Sequence, residues 1–226
     1  MTSITLLTGR AAPLPGSDKR SGIDKRPVHA PLALGTEGLA GDEQADRRVH
    51  GGPEKAVHHY PFDHYAAWRA DLGALALLDA PGAFGENIST RGLTEADVAV
   101  GDIFRLGGAL VQVSQGRQPC WKLTHRFGVP KLARLVQDSG RTGWYYRVLQ
   151  PGKVGPGDGL ELIDRLAPEW TVQRLWRALY VDRLNLPELQ GIAALDVLAE
   201  GWRSYAARRL DSGKVEDWSA RLEGNS

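Results

Sequence analysis

The sequence predicts a mainly β fold with helical insertions, a β-barrel or sandwich, followed by a small three-helix unit. Two observations carry that prediction. Glycine and proline punctuate short apolar runs from residue 1 to about 160, the pattern of many short strands joined by tight turns. After "LAPEW" (166–170) the apolar residues fall three and four apart, which is the helical period. The boundary is read at 166/167, giving a β domain over 1–166 and a helical domain over 167–226.

The elements follow in order. "SITLLTG" reads as an opening strand. "DIFRLGGALVQVSQ" reads as a hairpin, since Gly107-Gly108 can take positive φ at both turn positions. "TGWYYRVLQPG" alternates Trp144, Tyr146 and Val148 against Tyr145, Arg147 and Leu149, and "GLELID" supplies the last strand. Pro61 opens a predicted helix carrying Tyr65, Trp68, Leu72 and Leu75 on one face, and Pro130 opens a second that stops at Gly140. In the tail, Val172, Leu175, Trp176, Leu179 and Tyr180 form one stripe. Pro187 opens the next helix, and Leu195, Leu198, Trp202, Tyr205 and Arg209 mark the third.

Composition excludes several classes. Twenty-eight basic and 27 acidic side chains leave a net charge of +1, with the signs interleaved, so a polynucleotide surface is not expected. No apolar run is long enough to span a bilayer, and "MTSITLLTGR" lacks the features of a secretory leader. A single cysteine permits no internal disulfide and suits a reducing compartment, so a cytoplasmic location is expected. Neither Gly-Lys pair, at 152–153 or 213–214, is followed by Ser or Thr, so there is no phosphate-cradling nucleotide loop.

The sole cysteine lies in "VSQGRQPCWK" (113–122). A lone cysteine can be a small buried hydrophobe. Here Pro119 fixes its approach, and Arg117 and Lys122 would favour the thiolate needed for nucleophilic attack or metal binding. Four of the six histidines fall in "VHGGPEKAVHHYPFDHY", at a spacing that matches no zinc pattern. His50 stands out because the adjoining Gly51-Gly52-Pro53 turn can present its ring and backbone N–H groups together. In "AFGENIST", Asn87 is read either as part of a turn or as a source of amide groups for a polar ligand.

The stretches "GLAGDEQADRRVHGGPEKAVHHYP", "FGENISTRGLTEADVAVGDIF", "VSQGRQPCWK" and "GWYYRVLQPGKV", with the closing "RRLDSGKVEDWSARL", together resemble the MOSC-domain proteins, in particular their YiiM-like branch with its C-terminal three-α domain. The resemblance covers nearly the whole chain in order. It implies a MOSC-type β-barrel and a molybdenum cofactor, a metal held by a pyranopterin dithiolene, with Cys120 as protein ligand; a soft thiolate suits such a centre. It further implies reduction of N-hydroxylated compounds, hydroxylaminopurine base analogues among them, to amines, in a detoxifying role. The branch motif reads close to S-Q-P-R-x-P-C-Y-K; here Gly116 replaces the proline and Trp121 the tyrosine.

Under that resemblance Lys25, Arg117 and Lys122 are candidates for the cofactor's phosphate and pterin oxygens. Asn87 and Gly51-Gly52 would hold pterin or substrate, and His50 or His59 would relay a proton. With no flavin or cluster signature in the chain, electrons are expected from a separate reductase, plausibly flavin-dependent. The helical tail then reads as its docking surface or as a packing or homodimer element. Three rival readings remain open: a non-redox carrier of sulfur or molybdenum cofactor, a metal-free thiol hydrolase using His125, and a purely structural binding module.

Overall fold

The computed structural model describes residues 2–46 and 51–224. Nine strands build the main sheet: β1 (Thr2–Ser3), β2 (Thr5–Thr8), β3 (Arg26–Pro27), β4 (Val57–Pro61), β5 (Ile88–Thr90), β6 (Asp102–Leu106), β7 (Ala109–Gly116), β8 (Trp144–Gln150) and β9 (Gly159–Arg165). Their order is β1-β9-β6-β7-β8-β4-β5-β2-β3, antiparallel throughout except for the parallel β4–β5 pair. Small sheets of three and two strands pack beside it.

This order corrects the barrel expectation: the strand ladder has two ends and does not close. The physical reason lies in the N-terminal segment. Residues 2–3 pair with β9 while residues 5–6 pair with β5, so the segment touches both flanks but leaves each after two residues, with Ile4 between. The hairpin forms at Gly107-Gly108, with positive φ at Gly107 and not at both turn positions, and the β8 alternation appears as predicted: Trp144, Tyr146 and Val148 are buried in the sheet core with Val57, Phe104 and Val111.

Helix α1 (His64–Leu72) starts three residues after the predicted Pro61, which instead ends β4. α2 (Lys122–Phe127), which no periodicity foretold, follows the cysteine directly, and α3 (Leu132–Ser139) ends at Gly140. Beyond them come α4 (Val172–Trp176, continued by π-helical Arg177–Val181), α5 (Leu186–Ala193), α6 (Glu200–Ser212) and α7 (Ser219–Glu223). Thr171 and Asn185 cap α4 and α5 by accepting from the main-chain N–H three residues on. The tail is thus three helices plus a short fourth, wrapped round Trp170, Leu175, Leu189, Ile192 and Trp202, with Val100 of the β region joining that cluster. Among the described residues no helix is long and apolar enough to cross a membrane.

Candidate functional site

Strand register decides which side chains reach the site. Across the β4–β8 pair, Trp144 of β8 faces His59 of β4 and Tyr145 faces His58. Because alternate residues point to opposite faces, His58 and Tyr145 share one face, with ring centroids 5.0 Å apart, while His59, Trp144 and Tyr146 share the other. The first face opens on a cleft with about 580 Å³ of empty space.

Into that cleft β7 delivers the cysteine loop. At its end the Arg117 N–H donates to the Gly143 carbonyl at 3.0 Å, the chain leaves the sheet, and Cys120, half-buried, comes to the cleft wall just before α2. Gly143 is required there. Its φ is +73°, and a Cβ on it would stand 2.2 Å from the His59 carbonyl oxygen. Lys25, Asn87, Arg117, Cys120 and Lys122 all line the cleft, so the structure brings together five of the residues singled out in the sequence.

It separates others. His59 is buried in the sheet, its Nδ1 2.9 Å from Tyr146 Oη and its Nε2 2.8 Å from Thr90 Oγ1, and burial depresses its pKa to about 3. Both ring nitrogens are used and neither meets the cleft, so His59 does not serve as a relay there. Gly51-Gly52 precede a 3₁₀ turn, Pro53–Lys55, and are not on the cleft wall; the turn places Lys55 there instead. His50 lies outside the described residues. His125 sits on α2 edge-on to Trp121, 5.2 Å between centroids, and is not among the residues that line the cleft.

Among the wall residues that sequence reasoning missed, Lys55, His58 and Tyr145 carry titratable groups. Burial first, then the neighbouring Arg117 and Lys25 charges, hold His58 well below the usual histidine range, against an opposing main-chain contact with Gly85. Burial raises the Tyr145 hydroxyl above its ordinary value although Arg117 pulls the other way. Burial likewise lowers the Lys55 ammonium, which the charge of Cys120 opposes. The signal for His58 was present, in that one of two adjacent strand histidines must face each way, but the side was set by pairing with β8.

The walls divide into groups already committed and groups in reserve. Asn87 is committed: Oδ1 accepts from the His58 N–H at 3.1 Å, and Nδ2 donates to Leu7 O and Asp42 Oδ2. Its amide therefore holds the wall together and is not offered to a ligand. Lys25 is committed to both Asp42 oxygens at 2.5 Å; burial lowers its pKa and Asp42 counters that. In reserve are two buried atoms with no partner among the described residues, His58 Nε2 and Arg117 Nη1. Buried polar atoms are rarely left unpaired, so a polar ligand is the natural partner. With Lys25 balanced by Asp42, the wall still carries Lys55, Arg117 and Lys122 against one carboxylate, Glu43, an excess of positive charge that suits an anionic ligand.

A molybdenum–pyranopterin cofactor meets these demands. It carries negative phosphate for the cations and brings its own sulfur donors. The second point matters because, among the described residues, no group of three or more His, Cys, Asp or Glu could hold a metal. A metal bound at Cys120 would take most of its ligands from a non-protein source, and a thiolate is the apt protein donor for a thiol-rich centre.

Comparison with known proteins points the same way. Residues 46–161 match the MOSC domain, and residues 170–213 match the YiiM-like, 3-alpha helix domain. Protein YiiM of Escherichia coli (strain K12) is 42% identical over 221 residues, 98% of each chain. The crystal structure of YiiM from Escherichia coli superposes with a TM-score of 0.83 at 36% identity, covering 98% of both chains. A Gibberella moniliformis protein (strain M3125 / FGSC 7600) named "Reductase" is 38% identical over 172 residues, 76% of this chain and 30% of its own.

Proposed function

Because the chain belongs to the MOSC-domain family and carries the YiiM-like 3-alpha helix domain behind it, we propose that its cleft holds a molybdenum cofactor and reduces N-hydroxylated small molecules, hydroxylaminopurines included, to amines. The observation that carries this reading is the meeting of one thiol, Cys120, with Lys55, Arg117 and Lys122 and two unpartnered buried nitrogens in one cleft. The name of the Gibberella relative, "Reductase", supports the redox half of it.

The cofactor, when bound, supplies two-electron reduction chemistry. The chain's own residues do the rest. Cys120 Sγ anchors the metal, and Arg117, Lys55 and Lys122 meet phosphate and pterin oxygens by charge-assisted hydrogen bonds. His58, neutral at physiological pH, presents Nε2 to polar groups of pterin or substrate. Tyr145 keeps its proton at Oη because burial raises its pKa, so it is a donor toward an N–O oxygen. The overall reaction takes two electrons and two protons per N-hydroxyl group and yields amine and water. The electrons come from a separate reductase, which we assign to the flavin-dependent class because the sequence carries no flavin or cluster signature.

The test is turnover. Protein made in cofactor-producing cells and supplied with an artificial electron donor should convert hydroxylaminopurine to the aminopurine. Cys120→Ala should lose activity by about a hundredfold or more, as expected when a metal anchor is removed. Full molybdenum content without turnover of any N-hydroxylated compound would refute the reductase and favour a cofactor carrier.

A further inference from the structure

The segment that carries Cys120 takes several of its anchors from the C-terminal region. The sheet lets go at the Arg117 N–H, and α2 begins with Leu123 and Thr124 donating to the carbonyls of Cys120 and Trp121. Between these points the chain is also held from its far end. Gln118 Nε2 donates to Tyr180 Oη at 2.8 Å. Arg221 Nη1 donates to the Pro119 carbonyl at 2.6 Å, and its Nη2 to Gln137 Oε1 at 2.6 Å. The Trp121 N–H donates to the Arg221 carbonyl at 2.9 Å. The residues on both sides of the cysteine are therefore tied to the C-terminal helices, by side chain and by main chain.

Packing completes the clamp. A Cβ on Gly116 would stand 3.0 Å from the Trp202 ring, and one on Gly224 would stand 3.3 Å from Trp121. The two positions at which this chain departs from the branch motif, Gly116 and Trp121, are thus both fitted to the C-terminal region. That region is itself stiffened from behind. Tyr180 lies edge-on to Trp202 and Trp218, with centroids 6.3 and 5.2 Å away. Fully buried Arg209 donates to the carbonyls of Leu179 and Arg183 and to Glu216. A hydrogen-bonded loop backed by a packed aromatic cluster holds a side chain in one place in a way that a free loop does not.

We propose that the C-terminal helices are a brace that sets where the Cys120 thiol points, with Arg221 as the positioning residue. The brace gives the three-helix domain a role inside its own chain, and it deepens the proposed function, on which its catalytic consequence rests. A loosened loop would present Sγ over a range of positions and bind a metal less tightly.

Because the chain has one cysteine, alkylation by iodoacetamide reports Cys120 alone. Full-length protein from cells unable to make the cofactor is used, so that the thiol is not masked. Arg221→Ala and Tyr180→Phe should each raise the rate, the former by about fivefold, as expected when local opening becomes easier. Arg221→Lys, which keeps a single donor, should restore part of the slow rate. Leu106→Ala, which opens a cavity in the sheet core at the Gly107-Gly108 end of β7, away from the cysteine loop, should lower thermal stability and leave the rate unchanged. That control separates positioning from general loosening. Unchanged rates in both Arg221→Ala and Tyr180→Phe, or an equal rise in Leu106→Ala, would overturn the brace. Should Arg221→Ala fail to fold, Tyr180→Phe decides alone. Either result is independent of molybdenum content, so the brace and the cofactor reading stand or fall separately.

Discussion

Gly143 and Gly92 share a φ of +73°, yet their surroundings differ, and the pair isolates how much of the site's geometry rests on steric fit. At Gly92 an added Cβ meets nothing within 4 Å; at Gly143 it stands 2.2 Å from His59 O, 3.1 Å from Tyr60 Cδ2 and 3.3 Å from His58 Nε2. Gly92→Ala should cost only the left-handed backbone penalty, about 1 kcal/mol. Gly143→Ala adds the displacement of a sheet carbonyl by more than an ångström, an overpacking cost of about 2–3 kcal/mol, for a total of about 3–4 kcal/mol. In a chain of this size each kcal/mol lowers the melting temperature by about 2–4 °C. Calorimetry should then show a drop of about 3 °C for Gly92→Ala and about 10 °C for Gly143→Ala. Gly143 O also accepts the Arg117 N–H, and its own N–H donates to buried Glu95, so only the larger perturbation should also weaken anion binding in the cleft. Equal melting shifts in the two variants would refute the steric argument.

Two further predictions concern buried charge. His59 has a folded-state pKa of about 3 against an ordinary 6.5. Between those values the unfolded chain takes a proton that the folded chain refuses, so the stability from neutral His59 is fully present above about pH 6.5. It drains as the pH falls toward 3, by up to about 1.4 kcal/mol per pH unit. His59→Asn should flatten the fall in urea midpoint between pH 7 and pH 5 by about one proton's worth, and an unaltered slope would contradict the assignment. Arg209→Met leaves Glu216 without its bidentate partner and strips donors from two buried carbonyls; it should cost about 3 kcal/mol by chemical denaturation. A loss below about 1 kcal/mol would show that the pair does not hold the helical unit.

Much of this architecture was legible because it rests on local chemistry. The Gly107-Gly108 turn between two alternating runs, the β8 alternation, and α3 with its terminal Gly140 each follow from residues a few positions apart. What was not legible depends on pairing across the chain. Whether His58 or His59 faces the cleft is a one-residue register question settled by β8, some 85 positions away in the sequence. α2 spans six residues, too few for a hydrophobic period to show. Leu195 and Leu198 belong to the helical core, yet α6 starts only at Glu200, because a buried connecting turn carries apolar residues as a helix face does. Cys120, Arg117, Lys122 and Asn87 were legible from their own surroundings, and Lys25 only under the family resemblance. Lys55 and Tyr145 lie inside the matching stretches without a feature that singles them out, and Asn87 was assigned to the ligand when its amide is already spent on His58, Leu7 and Asp42.

The account's central claim is that Cys120 anchors a metal whose other donors come with the cofactor. Molybdenum and pterin measured per chain, in wild type and Cys120→Ala purified together from cofactor-producing cells, test it most directly. The account predicts about one molybdenum per wild-type chain and several-fold less in the variant, since the cations would still meet the cofactor's phosphate but the metal would lose its protein donor. Equal molybdenum in both proteins, or none in either while the cells demonstrably load another molybdoenzyme, would contradict it.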